Sequence, residues 1–272
     1  MTTIQEVPVT DIASEYAALP KQIKAATTLV VWRGTSPQNG AQIMLVVSGV
    51  KTKSQNDKTG VMAQASILLA DMHPWEALET GADEAICGDC PLRLNNGSRI
   101  CYVNVLFNNG SQYKSVTKKQ VVATPRQLAI LLAYRQRGIR WGSYGDPGML
   151  PFELINEVMT ISGVNHTGYT HQWVQPWFDV RHFQYAMASI DDENTVELLE
   201  ELHGEDVRYY RLLSVINSNV NSGEIMCPSD SDKRKTSGPK IKGKFAREIT
   251  CAECGLCAGS SKAAKSIAIN EE

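Results

Sequence analysis

Short apolar runs separated by turn-forming segments dominate the first seventy residues. The runs at 29–32 and 43–47 flank a segment rich in Gly, Ser, Pro and Asn, which is typical of a β-hairpin or of two neighbouring strands. A further apolar run at 63–69 follows a polar loop and predicts a third strand. This part of the sequence therefore predicts an α+β segment built around a hairpin.

Strands and helices alternate in the second half of the chain. Thr124 and Pro125 open a helix predicted over 126–137, and further helices are predicted over 151–161 and 194–202. Strand-like segments lie between and after these helices, at 139–144, 166–173, 185–190, 207–213, 225–226 and 266–269. Strands that alternate with helices through short connections pair in parallel, and about six such units could close part or all of a (β/α) barrel.

The predicted fold class is α/β, a parallel-strand barrel or partial barrel that carries Cys-rich insertions. Two domains are predicted, an N-terminal α+β segment over 1–84 and a Cys-rich barrel-like domain over 85–272. One continuous domain is the alternative, because the chain is 272 residues long and a single α/β domain can reach that length.

The cysteines of the chain form two groups in the sequence. The first group is Cys87, Cys90 and Cys101, and the second is Cys227 with the closing run Cys251, Cys254 and Cys257. Compact thiol clusters of this kind are typical of metal binding in a reducing compartment. All seven are therefore predicted metal ligands, and a division into three and four would suit one open and one fully ligated centre.

The spacing bears on the identity of the metal. A C-x2-C-x2-C run with a remote Cys followed by Pro228 resembles the ligation of a cubane iron–sulfur cluster. Structural zinc more often takes two separated C-x2-C pairs. Iron–sulfur and zinc both stay open, as does a redox pair at Cys87 and Cys90. Disulfides or plain core positions are the alternative for the closing run, and the two groups could also meet in one region of space.

Polar residues follow several of the predicted strands, and in parallel sheets ligands bind at the carboxyl ends of strands. An aspartate there could act as general base or nucleophile, and a histidine as proton donor or metal ligand. The candidate catalytic residues are Asp146, His171 and Asp191. The candidate cofactor-binding residues are Gln172, Trp173 and Ser189.

These candidates also have structural interpretations. Asp146 and Asp191 precede predicted helices, where aspartate commonly caps the first turn. His171 is equally compatible with a buried and hydrogen-bonded position, and Trp173 with the core. Catalysis and structure are thus both open for these positions.

Composition limits the partners. Hydrophobic residues make up 43% of the chain, charged residues 21%, and the net charge is −2, so a nucleic-acid partner would need a local basic patch. The Lys-rich stretch at 233–244 is the candidate for such a patch, with a solvated loop as the alternative. The sequence shows neither a signal peptide nor an apolar run of the ~18 residues that a membrane helix needs, which predicts a cytoplasmic protein.

Five motifs together carry a resemblance to a known group of proteins. They are C-G-D-C-P-L-R at 87–93, C-Y-V-N at 101–104, G-S-Y-G-D-P at 142–147, T-G-Y-T-H-Q-W at 167–173 and C-A-E-C-G-L-C-A-G at 251–259. In these motifs the chain resembles uncharacterised Cys-rich proteins of bacteriophages and mobile elements, from about Lys58 to Ile269. The resemblance implies a phage-type origin and hence the host cytoplasm, but no particular reaction.

A thiolate site before the last strand of a barrel is also similar to the tRNA-guanine transglycosylase class, whose phage relatives exchange guanine for a deazaguanine in DNA. That similarity implies strand-end aspartates in catalysis, which would correspond to Asp146 and Asp191. The zinc motif of that class, C-x-C-x2-C plus His, differs from the motif in this chain.

The expected function is that of a Cys-ligated metalloenzyme acting on a nucleotide, a nucleobase or DNA. A transglycosylase-like base exchanger with structural zinc is one alternative. A non-catalytic nucleic-acid-binding protein with a metal knuckle is the other.

Overall fold

The structure is a computed structural model that describes residues 11–51, 59–93, 101, 103–191, 194–213, 220–228 and 249–270. The helices are α1 Ile12–Ala18, α2 Lys21–Ala25, α3 Pro74–Thr80, α4 Glu84–Cys87, α5 Gly110–Lys118, α6 Pro125–Arg135, α7 Phe152–Ser162, α8 Asn194–His203 and α9 Cys251–Cys254. A π-helix spans Val105–Asn109, and 3-10 turns span Pro147–Met149, Gln172–Val174, Val180–Gln184 and Gly259–Ser261. The strands are β1 Thr28–Thr35, β2 Gln42–Ser48, β3 Ala63–Leu69, β4 Ile139–Tyr144, β5 His166–Thr167, β6 Tyr169–Thr170, β7 Met187–Ile190, β8 Tyr209–Leu213, β9 Glu224–Met226 and β10 Ser266–Asn270.

The strands form two five-stranded sheets, in the orders β1-β2-β3-β4-β5 and β6-β7-β8-β10-β9. Only the β1-β2-β3 portion is antiparallel. All other pairings are parallel, from β3 to β5 and throughout the second sheet. The α/β class with parallel strands is therefore confirmed.

A single residue, Gly168, separates β5 from β6 and so joins the two sheets. Its N–H donates to the carbonyl of Cys257 at 3.2 Å, so this amide does not bond to a neighbouring strand, and its carbonyl accepts from the amide of Met187 at 2.9 Å. A side chain here would lie 3.0 Å from the carbonyl oxygen of Tyr185. The chain thus changes strand partners at the point where the Cys-rich segment meets the sheets.

Most of the elements predicted from the sequence are present. The hairpin pairs β1 with β2, and strands β3 and β4 have the predicted bounds. The helix predicted over 126–137 ends earlier, at Arg135, because Gln136 adopts the left-handed conformation with φ 49°. Pairing between β3 and β4 crosses the predicted domain boundary at residue 84.

Two features differ from the sequence prediction. The polar stretch between Cys101 and Thr124 contains the π-helix and α5, which its weak apolar periodicity did not indicate. The strand predicted over 166–173 ends at Thr170, and Gln172 and Trp173 lie in a 3-10 turn instead. The basic stretch at 233–244 lies outside the described residues.

The largest core cluster packs the first sheet against α6 and α7, with Leu29, Ile43, Leu131, Trp141 and Ile155 among its buried residues. A smaller cluster under the second sheet includes Cys227 and Cys257 together with Met187, Ile267 and Ile269. Two of the thiols are thus part of a hydrophobic core. In the described part of the chain, no helix combines the length and apolar character that crossing a membrane would require.

A buried ion pair links β8 to β9. The Arg211 guanidinium donates to both carboxylate oxygens of Glu224 at 2.7 Å, and the two side chains are 1% and 0% exposed. Burial would raise the pKa of Glu224, but its hydrogen bonds to Arg211 and to the backbone of Asn221 outweigh this and lower it. Because β9 leads directly into Cys227, the pair also positions that thiol.

We expect Arg211→Met to lower the free energy of unfolding by about 3–5 kcal/mol, since it leaves the Glu224 charge buried without its partner. Urea denaturation measures this change. Glu153→Gln, which removes an exposed partner of Arg181, is the matched control and should leave the unfolding midpoint unchanged. Equal midpoints for Arg211→Met and the wild type would contradict the assignment.

Candidate functional site

The four cysteines of the second group surround one small cavity. Cys227, Cys251, Cys254 and Cys257 all line a space of about 30 Å³. Its other walls come from the sheets and the closing segment, namely Thr167, Tyr169, Tyr210, Pro228, Gly255, Leu256 and Ile267. A single water needs about 10–15 Å³, so there is room for a larger occupant. We call this the four-thiol cavity.

Local sequence explains how the closing run presents its thiols. Thr250 caps α9 in a capping box with Glu253, which starts the helix at Cys251. Cys251 and Cys254 are three residues apart and therefore lie on the same helical face. Gly255 then adopts the left-handed conformation, with φ 63°, and turns the chain so that Cys257 reaches the same cavity.

Backbone hydrogen bonds attach both parts of the cavity to the sheets. The amide of Cys227 donates to the carbonyl of Ala268 in β10 at 2.7 Å, and Gly168 donates to Cys257 as described above. The Tyr169 hydroxyl also hydrogen-bonds to the sulfur of Cys257. Two separate segments of the chain, β10 and the junction of β5 and β6, therefore hold the thiols in place.

Burial raises the pKa of the Cys257 thiol far above its usual range, and the charges of the other three cysteines raise it further. The hydrogen bond from Tyr169 acts in the opposite direction. Burial also raises the pKa of Tyr169, and negative charge on Cys257 contributes to the same shift. The Cys257 thiol is therefore neutral unless a cation compensates its charge.

The first cysteine group lies elsewhere, in the segment that follows β3. Cys87 ends α4, the amide of Cys90 donates to the carbonyl of Cys87 at 3.3 Å, and the amide of Cys101 donates to Leu92 at 2.9 Å. Burial raises the pKa of Cys87, and the charges of Asp83, Cys90 and Cys101 add to the shift. The three thiols thus influence one another electrostatically.

Arg93 holds this segment together. Its guanidinium donates to the Asp83 carboxylate at 2.7 Å and to the carbonyls of Gly88 and Gly81 at 2.8 and 2.9 Å. These bonds fix the turn between Cys87 and Cys90. Arg93 therefore supports the first thiol group without being part of it.

His171 connects Cys90 with Asp191. Its Nε2 lies 3.2 Å from a carboxylate oxygen of Asp191, and a side-chain hydrogen bond joins the ring to Cys90. Burial alone would lower the pKa of His171, but the hydrogen bonds to Asp191 and Cys90 and their charges outweigh it and raise the pKa well above 6.5. We call Cys87, Cys90, Cys101, His171 and Asp191 the rim group, because His171 and Asp191 directly follow β6 and β7.

Asp146 and Gln172 orient the rim group. The Asp146 carboxylate accepts from the amide of Gly148 at 2.8 Å and from the amide of His171 at 2.7 Å. Gln172 donates to the carbonyl of Cys87 at 2.8 Å, while its buried Oε1 has no hydrogen-bond partner. Because both carboxylate oxygens of Asp146 hold backbone amides, the geometry favours a positioning role for Asp146 over the role of nucleophile.

Trp173 and Ser189 pack away from the rim group. The Trp173 ring is 3% exposed in a core cluster, and its Nε1 donates to the carbonyl of Ser189 at 3.0 Å. Ser189 is itself buried. Their contacts indicate core packing, and the role in cofactor binding predicted for them stays a prediction.

The candidate residues at the strand ends lie outside the four-thiol cavity. The walls of the four-thiol cavity include none of Asp146, His171, Gln172 or Asp191. Cys227 follows β9 and lines the cavity beside Tyr169 and Tyr210, whereas His171 and Asp191 follow β6 and β7 and are not among its walls. Tyr169 and Arg93 were missed as site residues, although both stand within the quoted motifs.

No group of three or more His, Cys, Asp or Glu side chains within the described ranges is arranged as a ready metal site. The four C-terminal thiols nevertheless line one common cavity. Metal binding deprotonates thiols and draws them inward, so convergence on a cavity is the more informative observation. Compared with protein-family models, curated proteins and solved structures, the chain matches none.

A substitution at Gly88 tests how closely Gln172 packs against the segment that carries Cys87 and Cys90. A Cβ at Gly88 would lie 2.0 Å from Gln172 Oε1, and its φ is +55°. We expect Gly88→Ala to cost about 3 kcal/mol in the free energy of unfolding, from backbone strain and the clash together. Gly163→Ala is the control, because Gly163 also has positive φ, +59°, but nothing within 4 Å, and it should cost about 1 kcal/mol. Equal losses in urea denaturation would argue against the close packing.

His166 gives a prediction for pH dependence. Burial lowers its pKa to about 4, whereas the unfolded chain titrates near 6.5. Between these values only the unfolded state binds the proton, so acidification from pH 7 to 4 should remove up to about 3 kcal/mol of stability through this group. The loss should appear as the difference between wild type and His166→Gln in unfolding free energies across that range. Parallel pH profiles for the two proteins would refute it.

Proposed function

We propose that the chain is a metalloenzyme in which the four-thiol cavity binds an iron–sulfur cluster or a zinc ion. The observation that carries this proposal is the convergence of Cys227 and the closing run on a single cavity. Cys227 lies more than twenty residues before Cys251 in the sequence, so the four thiols do not line one cavity merely because they are neighbours in the chain.

The donor set fits such a group. Thiolates select zinc and iron–sulfur clusters over the harder cations that oxygen ligands bind. The described walls supply four sulfur atoms and no carboxylate. Cys227, Cys251, Cys254 and Cys257 would hold the metal, and Tyr169 would tune it through its hydrogen bond to the Cys257 sulfur.

We propose that the reaction takes place at the rim group. Asp191 engages Nε2 of His171, which leaves Nδ1 as the ring nitrogen that can exchange a proton with the Cys90 thiol or with a substrate. The three rim thiols could bind a second metal with an open coordination position. The substrate class, a nucleotide, nucleobase or DNA, rests on the resemblance to phage proteins.

We further propose that the sheets curve into a partial barrel. The parallel order from β3 to β5 continues through Gly168 into β6, and the second sheet is parallel throughout. A barrel would bring the ends of β4, β6 and β7 around one rim. Asp146, His171 and Asp191 follow those strands, and the bonds from Asp146 to His171 and from His171 to Asp191 agree with this arrangement.

Elemental analysis of protein isolated without oxygen tests the four-thiol centre. We expect either a zinc ion in colourless protein or about four iron atoms per chain in brown protein. Cys254→Ser should remove that metal because it deletes one of the four ligands. Cys101→Ser is the control, since its thiol belongs to the rim group, and it should retain the metal of the four-thiol cavity. Unchanged metal content in Cys254→Ser would contradict the proposal.

A further inference from the structure

Arg208 is a buried cation beside the four-thiol cavity. It precedes β8 and is 8% exposed. Its guanidinium donates to four backbone carbonyls of the segment that begins next to Cys257, those of Leu256 at 2.8 Å, Gly259 at 2.7 Å, Lys262 at 3.2 Å and Lys265 at 2.7 Å. One side chain thus fixes the path of this segment as it leaves the cavity.

The charge of Arg208 has no carboxylate counterpart among the described residues, since none of their ion pairs includes it. Arg211, three residues further along, is equally buried but forms its ion pair with Glu224. Four carbonyl dipoles solvate a guanidinium without neutralising it. A buried charge is costly unless it is paired, so a negative group is expected close to Arg208.

The cavity would supply that negative group. The guanidinium of Arg208 donates to the carbonyl of Leu256 at 2.8 Å, and Leu256 precedes Cys257 and lines the cavity, so the positive charge lies next to the cavity wall. Four thiolates around a divalent zinc ion leave a net double negative charge, and a cubane cluster held by four thiolates is also anionic. Such a centre in a low-dielectric interior needs a counter-charge.

We propose that Arg208 is the positioning residue and counter-charge of the four-thiol centre. This inference rests on the proposed function, and it restricts the occupant to a complex with net negative charge. Arg208 acts in two ways: its hydrogen bonds set the backbone beyond Cys257, and its charge offsets the net negative charge of the occupied centre. The second effect distinguishes it from a purely structural clamp.

Two substitutions separate these effects. Arg208→Lys keeps the charge but loses the planar fork that reaches four carbonyls, whereas Arg208→Gln keeps amide donors and loses the charge. Arg137→Gln is the matched control, because Arg137 is also buried, 4% exposed, and lies in the other half of the fold. Zinc affinity of each full-length protein is measured by competition with a chromophoric chelator, and circular dichroism verifies folding.

We expect Arg208→Gln to bind zinc at least ~10-fold more weakly than the wild type, the size typical of lost outer-shell partners. The zinc affinity of Arg208→Lys should stay closer to that of the wild type than to that of Arg208→Gln, and the affinity of Arg137→Gln should match the wild type.

Equal zinc affinities for Arg208→Gln and the wild type would overturn the inference, as would equal weakening in Arg208→Lys and Arg208→Gln. If Arg208→Gln fails to fold, the test uses Arg208→Lys. Zinc binding by Arg208→Lys that is 10-fold or more weaker than that of the wild type overturns the inference. If the wild type binds no zinc or other metal, the proposed function itself fails, and the inference fails with it.

Discussion

Buried sulfur donors keep or lose their protons according to the charge around them, and the C-terminal half of this chain is organised by that constraint. The four thiols line one cavity. Two of them, Cys227 and Cys257, belong to a hydrophobic cluster, and burial opposes the ionisation of Cys257. A guanidinium without a carboxylate partner among the described residues lies beside them. Each of these arrangements is unfavourable alone, but an anionic metal–thiolate complex next to Arg208 would satisfy both.

The same constraint accounts for details of the fold. The two sheets are joined at Gly168, whose amide donates to the carbonyl of Cys257 instead of to a neighbouring strand. Arg211 and Glu224 join the strands on either side of β10 and so place Cys227 opposite the closing run. The sheet thus serves as a platform for the four-thiol cavity, and the ends of its strands carry a separate rim group.

Under the proposed function, the four-thiol cavity and the rim group have different chemical roles. The cavity is lined almost wholly by apolar and sulfur-bearing side chains, which suits a closed centre. At the rim, a thiol, an imidazole and a carboxylate are in contact and partly exposed, which suits proton exchange with a substrate. Asp146 and Gln172 belong to the supporting structure of the rim.

Much of this could be predicted from the sequence, because local patterns determine it. The hairpin, the parallel strands β3 and β4, helix α6 and the grouping of the cysteines all follow from apolar periodicity, capping residues and short spacings. The role of Arg208 could not be predicted, since a strand with arginines on both faces, as in Val207–Leu213, gives no sign of which charge is paired. The separation of the cavity from the rim group could not be predicted either. It depends on the change of strand partners at Gly168, which the sequence pattern does not indicate.

X-ray absorption at the metal edge tests the central claim most directly. Protein carrying Cys87→Ser and Cys90→Ser would be used, so that the four-thiol cavity alone contributes. The account predicts a first coordination shell of four sulfur atoms at about 2.3 Å. A first shell dominated by nitrogen or oxygen would contradict it.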